Sequence, residues 1–328
     1  MGGNLLQSMW NLPPQRISTD DYYVIVEDIV SKLNLYGTST HVKFFLSKED
    51  HGDIDIIFAT DDGNCHKHEF FFDLFHVEQH HKNGNIYSFP YHYNGVSVQV
   101  DIIIVSEKNY KVSQAYFAYE AGMAMGVVAN KMRLKYGWKG LEIKVPLKFM
   151  CDSLPNDQYY EVLFEKDPKT IFEILGFDYN RFEQGFKTQV ELFEWIYNSK
   201  YCNNTFYDYV ELNHRNRIRN KKRHTYGALL EFIESKPPKC VEIDKMSIFN
   251  DILVKYPTVR FKIAEKSLEV ELNNRIKQKF NGALVMELTD KTGKDVGQFI
   301  GKFRETYNVE MILSMTEEEI KDAVLNLC

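Results

Sequence analysis

Apolar positions recur at two periods along the chain, and the elements change where the period changes. Residues 20–34, DDYYVIVEDIVSKLN, set Tyr22, Val26, Ile29, Val30 and Leu33 at helical spacing behind an Asp-rich start, which predicts an amphipathic helix ending before LYGTST. Short apolar runs follow: VKFFL, DIDIIF, HEFFFDLF, NIYSFPYHY and VSVQVDIIIV. Gly, Asn and Asp turn signals separate them, which predicts the strands of a sheet. The helical period returns at Ala115 in AYFAYEAGMAMGVVANKMRLKYG, LEIKV reads as a strand ahead of Pro146, and a first domain is expected over residues 1–150. KTIFEILGF, TQVELFEWIYNS and GALLEFIES make 151–235 a mainly helical second domain. KPPK at 236–239 breaks the chain again, because consecutive prolines cannot continue a helix. Residues 236–328 then form a helical C-terminal domain in which Thr316 and Glu319 have the spacing of a capping box. The fold class expected is α+β, a mixed sheet with flanking helices followed by a mainly helical C-terminal region.

Two of the strand-like runs carry acids where a buried strand favours valine. Side chains alternate across a strand, so in HGDIDIIF Asp53 and Asp55 share one face while Ile54 and Ile56 point to the core. Two uncompensated carboxylates at that spacing repel and raise each other's pKa, and a hard divalent cation between them, Mg²⁺, removes the conflict. In VSVQVDIIIV Val96, Val98, Val100, Ile102 and Ile104 line one face, and Ser97, Gln99 and Asp101 the other. If the two strands pair, Asp101 joins Asp53 and Asp55, giving three carboxylates able to hold two metals roughly 3.5 to 4 Å apart for in-line phosphoryl transfer. Upstream, Gly37 permits close backbone approach to a ligand, and Thr38 and Ser39 offer hydroxyls and amides to a triphosphate.

Composition narrows the setting without naming a substrate. The 328 residues suffice for two or three domains with full cores, and the five cysteines, odd in number and without a CxxC pair, suit a reducing compartment. No apolar run reaches the roughly 20 residues that span a bilayer. MGGNLLQSMWNLPP lacks a signal-peptide pattern, and Leu6 stands where a myristoylation signal needs Ser or Thr, so a soluble cytoplasmic protein without an anchor is expected. A formal charge of −6 does not by itself speak for nucleic acid, and the abundant Phe and Tyr read as core residues under a compositional bias.

Gly-Thr-Ser, then an Asp-hydrophobic-Asp strand, then a lone Asp on a later strand resembles the DNA polymerase β-like nucleotidyltransferase superfamily over roughly residues 20–105. That resemblance implies a nucleotidyltransferase-type sheet. It implies that Gly37, Thr38 and Ser39 hold the phosphates of an incoming NTP, that Asp53 and Asp55 bind two Mg²⁺ ions (Mn²⁺ substituting), and that Asp101 positions and activates the attacking hydroxyl. Two departures stand out: the spacing from Gly37 to Asp53 is long, and Thr38 occupies the usual Ser position. NKMRLKYGWKGLEIKV followed by FEILGFDYNRFEQGF looks similar to uncharacterised bacteriophage members of the superfamily, which would put the protein in a host cytoplasm.

Three further segments bear on partners. In NHRNRIRNKKRH, Arg215, Arg219, Lys222 and Arg223 share one face if helical, a face suited to an RNA backbone or a triphosphate, or else solvated against nearby acids. The histidines of CHKHEFFFDLFHVEQHH fit no zinc spacing and read as surface residues. GKDVGQFIGKF sets Gly293, Gly297 and Gly301 four apart and looks somewhat like the C-terminal region of tRNA CCA-adding enzymes, a pointer to tRNA-like acceptors. The expectation is therefore an enzyme that moves NMP from an NTP to an acceptor hydroxyl on RNA. The alternatives are transfer to a protein or small molecule, or a non-catalytic RNA-binding protein retaining the fold.

Overall fold

The computed structural model describes residues 4–152, 154 and 158–328. They form two compact units: one runs to Ile143 and resumes over Leu163–Asp251, and the other comprises Lys144–Val162 and Ile252–Cys328. The segments 1–150, 151–235 and 236–328 expected from sequence are thus distributed over two units, most of the middle segment lying with the sheet.

The first unit opens with helix α1 (Asn4–Trp10) and strand β1 (Ile17–Ser18), followed by helix α2 (Thr19–Leu33). Ser18 caps α2 by accepting from the Asp21 amide, Asp20 and Asp21 favour its positive end, and Lys32 lies in its last turn. Its buried face is Tyr22, Ile25, Val26, Ile29 and Leu33. Strands β2 (Thr38–His41), β3 (Asp50–His51) and β4 (Asp53–Ala59) follow, then helix α3 (His68–Phe75), β5 (His81–Asn83), β6 (Ile86–Tyr93) and β7 (Val96–Val105). A mixed five-stranded sheet has the order β2-β4-β7-β6-β5, with β4 and β7 parallel and the other neighbours antiparallel. The short β1 pairs with β3 beside it.

One face of the sheet is apolar throughout: Ile54, Ile56, Phe58, Val98, Val100, Ile102 and Ile104 pack with residues of α2 and α3 in the main core. The other face changes character along the strands. At the start of β4 and β7 it presents Asp53, Asp55, Gln99 and Asp101; beyond them come Ile57, Ala59, Ile103 and Val105, buried with Tyr110 and Phe117 of helix α4 (Tyr110–Phe117). The acids therefore lie where the second helical layer stops.

Helix α5 (Ala121–Lys131) follows α4 after a break, and strands β8 (Leu134–Gly137) and β9 (Gly140–Pro146) make a hairpin. Helices α6 (Pro168–Leu175), α7 (Tyr179–Glu183), α8 (Gln189–Tyr197), α9 (His214–Lys221) and α10 (His224–Glu234) complete the unit. The second unit is built round Ile276, Phe280, Val285, Phe299, Phe303, Ile312, Ile320 and Val324, with Phe280 and Phe303 stacked at 4.0 Å. The Thr316–Glu319 capping box is formed. Gly293 caps the helix Lys294–Thr306, and a Cβ at Gly297 or Gly301 would meet nothing within 4 Å, so neither glycine serves close packing.

Three elements differ from the sequence pattern. HEFFFDLF is helix rather than strand: Phe71 and Phe75, one turn apart, bury on its inner face, and packing overrides the β-preference of phenylalanine. VKFFL lies past the end of β2, with only the Val42 amide continuing the ladder to the Asp55 carbonyl at 2.9 Å. The helical run from Ala115 breaks at Tyr119 and Glu120, both left-handed with φ of 54° and 60°. No helix among the described residues is long and apolar enough to cross a membrane.

Candidate active site

The parallel register of β4 and β7 sets Asp55 directly opposite Asp101 and Asp53 opposite Gln99. Because paired residues share a face, the three carboxylates lie together, supported from below by the fully buried Ile54, Ile56, Val100 and Ile102. The row continues sideways, with Ser88 of β6 opposite Asp101 and His81 of β5 opposite Ser88.

Electrostatics marks the cluster as an anionic site held against its own repulsion. Burial pushes Asp55 well above the usual carboxylate range, and the charges of Asp53 and Asp101 push it further. Asp53 is raised by burial and partly relieved by Lys48 and Arg16. Asp101 is raised by burial and relieved by hydrogen bonds from Ser88 and Gln99. The Gln99 amide donates to both Asp101 oxygens at 3.0 Å. Lys48 is the strongest cationic influence on Asp53 and on Asp55. Glu120, in the left-handed turn between α4 and α5, adds negative charge to both and is the main anion felt by the guanidinium of Arg223. Paired left-handed residues without glycine are uncommon and cluster at functional sites.

Aromatic packing holds the strand entering the site. His51 stacks on Tyr22 with centroids 4.1 Å apart, and its Nε2 lies 3.2 Å from Thr19 Oγ1. Burial, with Lys48 nearby, takes its pKa down to about 4, so the ring is neutral at physiological pH. Arg16 pairs with Asp50 beside it.

The donor set suits a hard divalent cation: three oxygen ligands, each with its charge penalised by burial, that a cation would relieve. Among the described residues no group of three or more His, Cys, Asp or Glu side chains is already arranged to hold a metal ion.

Gly37, Thr38 and Ser39 are not brought to the carboxylates. Thr38 pairs with Ala59 and Ser39 with Phe58, at the opposite end of β4 from Asp53. The buried Ser39 hydroxyl donates to Asn34 Oδ1 at 2.9 Å, and its amide donates to the same oxygen at 2.8 Å. Gly37 is required by packing, since a Cβ there would lie 2.3 Å from the Ala59 carbonyl oxygen. The expected basic face is also shortened: α9 ends at Lys221, Lys222 caps it, and Arg223 is extended. Arg215 and Arg219 keep helical spacing, while Arg223 is partly desolvated beside Arg219. His68 and His80 stack with centroids 5.3 Å apart, without a metal cluster among the described residues.

Lys48, Ser88 and Glu120 join the acids without having been expected from the sequence. Alternation in NIYSFPYHY marks Ser88 as the polar residue of a buried strand, whereas Lys48 lies in an aperiodic loop and Glu120 within a helical pattern.

No family model and no curated protein matches the chain. Among solved structures, polymerase β of Leishmania infantum, described as a ternary P/T complex, is similar over 53% of this chain and 84% of that one, at 14% identity and a TM-score of 0.39.

Proposed function

We propose that the protein is a metal-dependent nucleotidyltransferase that moves a nucleoside monophosphate from an NTP to a hydroxyl of an RNA acceptor, releasing pyrophosphate. The observation that carries this reading is the register that sets Asp55 opposite Asp101 with Asp53 on the same face. Asp53 and Asp55, with Asp101 beside them, would hold divalent cations, which when bound would supply charge neutralisation at the transferred phosphorus. Asp101, relieved by Ser88 and Gln99, orients the acceptor hydroxyl and takes up its proton. Lys48 faces the same negative field and suits the NTP phosphates. Arg223, which feels the charge of Glu120, and Arg219 beside it suit the acceptor backbone. The left-handed turn carrying Glu120 is held beside β2, where the Tyr119 amide donates to the Lys43 carbonyl at 3.0 Å, next to the Val42 amide that donates to the Asp55 carbonyl.

Incubation with α-labelled NTPs, Mg²⁺ and total RNA tests the reading. Label is expected in RNA with wild type and lost in Asp101→Asn. Label in protein or in a small metabolite, with RNA unextended, would move the acceptor assignment. RNA binding that persists without any transfer or Mg²⁺ requirement would refute the enzymatic reading.

A further inference from the structure

Gln99 is almost fully buried, 6% exposed, on a face otherwise given to acids, and its amide is used at both ends. The NH₂ group donates to both carboxylate oxygens of Asp101 at 3.0 Å, and Oε1 accepts the backbone N–H of Leu5 at 3.0 Å. A carboxylate only accepts and an N–H only donates, so these two neighbours leave the amide one orientation. Leu5 lies in the first turn of α1, where backbone N–H groups have no partner within the helix. The same segment is fastened to β7 again, where the Ser97 amide donates to Gln15 Oε1 at 2.7 Å, and Leu6 is fully buried.

We infer that Gln99 is a positioning residue for Asp101, and that the backbone N–H of Leu5 sets Gln99, which makes the N-terminal helix part of the site. This rests on the nucleotidyltransferase reading of the three carboxylates. Gln99 holds the Asp101 carboxylate from its own strand, β7, while Asp55 stands opposite in the strand pair. Groups that hydrogen-bond a metal-ligating carboxylate typically govern metal affinity by about 10 to 100-fold. The chain from Leu5 through Gln99 to Asp101 extends that control to an element that need not touch the substrate.

Three variants test it. Gln99→Met removes all three hydrogen bonds at similar volume. Leu5→Pro removes the N–H together with the leucine side chain, in the first helical turn where proline is tolerated. Leu5→Ala trims the side chain but keeps the N–H. Mn²⁺ binding is read by electron paramagnetic resonance and folding by thermal denaturation. Gln99→Met is expected to bind Mn²⁺ about tenfold more weakly, Leu5→Pro to weaken it less, and Leu5→Ala to match wild type. In single-nucleotide transfer, kcat falls in the same order with NTP KM unchanged. Exchange of the Leu5 amide in metal-free protein accelerates in Gln99→Met. Equal or tighter Mn²⁺ binding by Gln99→Met, or unchanged Leu5 exchange, overturns the inference while leaving the functional reading intact. A wild type with no Asp55-dependent Mn²⁺ binding overturns the reading and the inference with it.

Discussion

Replacing Asp55 by Asn removes one of two carboxylates that β4 and β7 hold side by side. Neighbouring strands lie about 4.8 Å apart, and two full charges at about 5 Å repel by about 3 kcal/mol at an effective dielectric of 20. Partial exposure and partial protonation, since burial raises both carboxyls and the charges of Asp53 and Asp101 raise Asp55 further, reduce the gain on neutralisation to about 1–2 kcal/mol. For a unit of this size, each kcal/mol moves the Tm by about 2–4 °C. In EDTA at pH 8, scanning calorimetry of Asp55→Asn should therefore show a Tm about 2–8 °C above wild type. The sign follows from linkage. A carboxyl whose folded pKa exceeds its unfolded value favours the fold at low pH and loses that contribution as pH rises through the folded pKa. The gap should thus be widest at pH 8 and close towards pH 4. A variant less stable than wild type at pH 8, or a gap that does not change with pH, would refute the claim that these carboxylates are held together at a cost in stability.

Other consequences are open to direct test. Mg²⁺ or Mn²⁺ at 100 times its Kd should stabilise wild type by about 2.7 kcal/mol, seen as a rise in Tm, and should leave Asp53→Asn unchanged. Ser39→Ala should lower the Tm, because the hydroxyl's bond to Asn34 is lost while the amide's remains, with NTP KM in transfer assays unmoved; a raised KM would return Ser39 to the nucleotide. Gly37→Ala should cost about 1–3 kcal/mol through overpacking against the Ala59 carbonyl, read by urea denaturation. Lys48→Ala should raise NTP KM several-fold more than it lowers kcat.

The sheet and the acids were legible because a period of two is written plainly in DIDIIF and VSVQVDIIIV, and alternation alone says which side chains share a face. It also marked Ser97 and Gln99 as polar positions beside Asp101. Pairing between the strands was not legible: parallel neighbours are joined by a long crossover, here through α3, β5 and β6, and nothing local fixes their register. HEFFFDLF misled because consecutive phenylalanines satisfy a strand's preferences, while only the tertiary contacts of Phe71 and Phe75 select a helix. Gly37 misled for a different reason. A glycine demanded by a neighbouring carbonyl and one demanded by a ligand look alike in sequence, and only the position of Ala59 separates them. Arg223 fell off its predicted face because helix α9 ends at Lys221, a boundary that a run of basic residues does not signal.

We propose that Asp53, Asp55 and Asp101 form one cation-dependent site. Crystals soaked with Mn²⁺ and a non-hydrolysable NTP test it most directly through anomalous scattering. A manganese peak within coordinating distance of all three carboxylates, with the triphosphate beside it, is the predicted result. Ordered manganese elsewhere, for instance at His68 and His80, with none among the three aspartates, would contradict it.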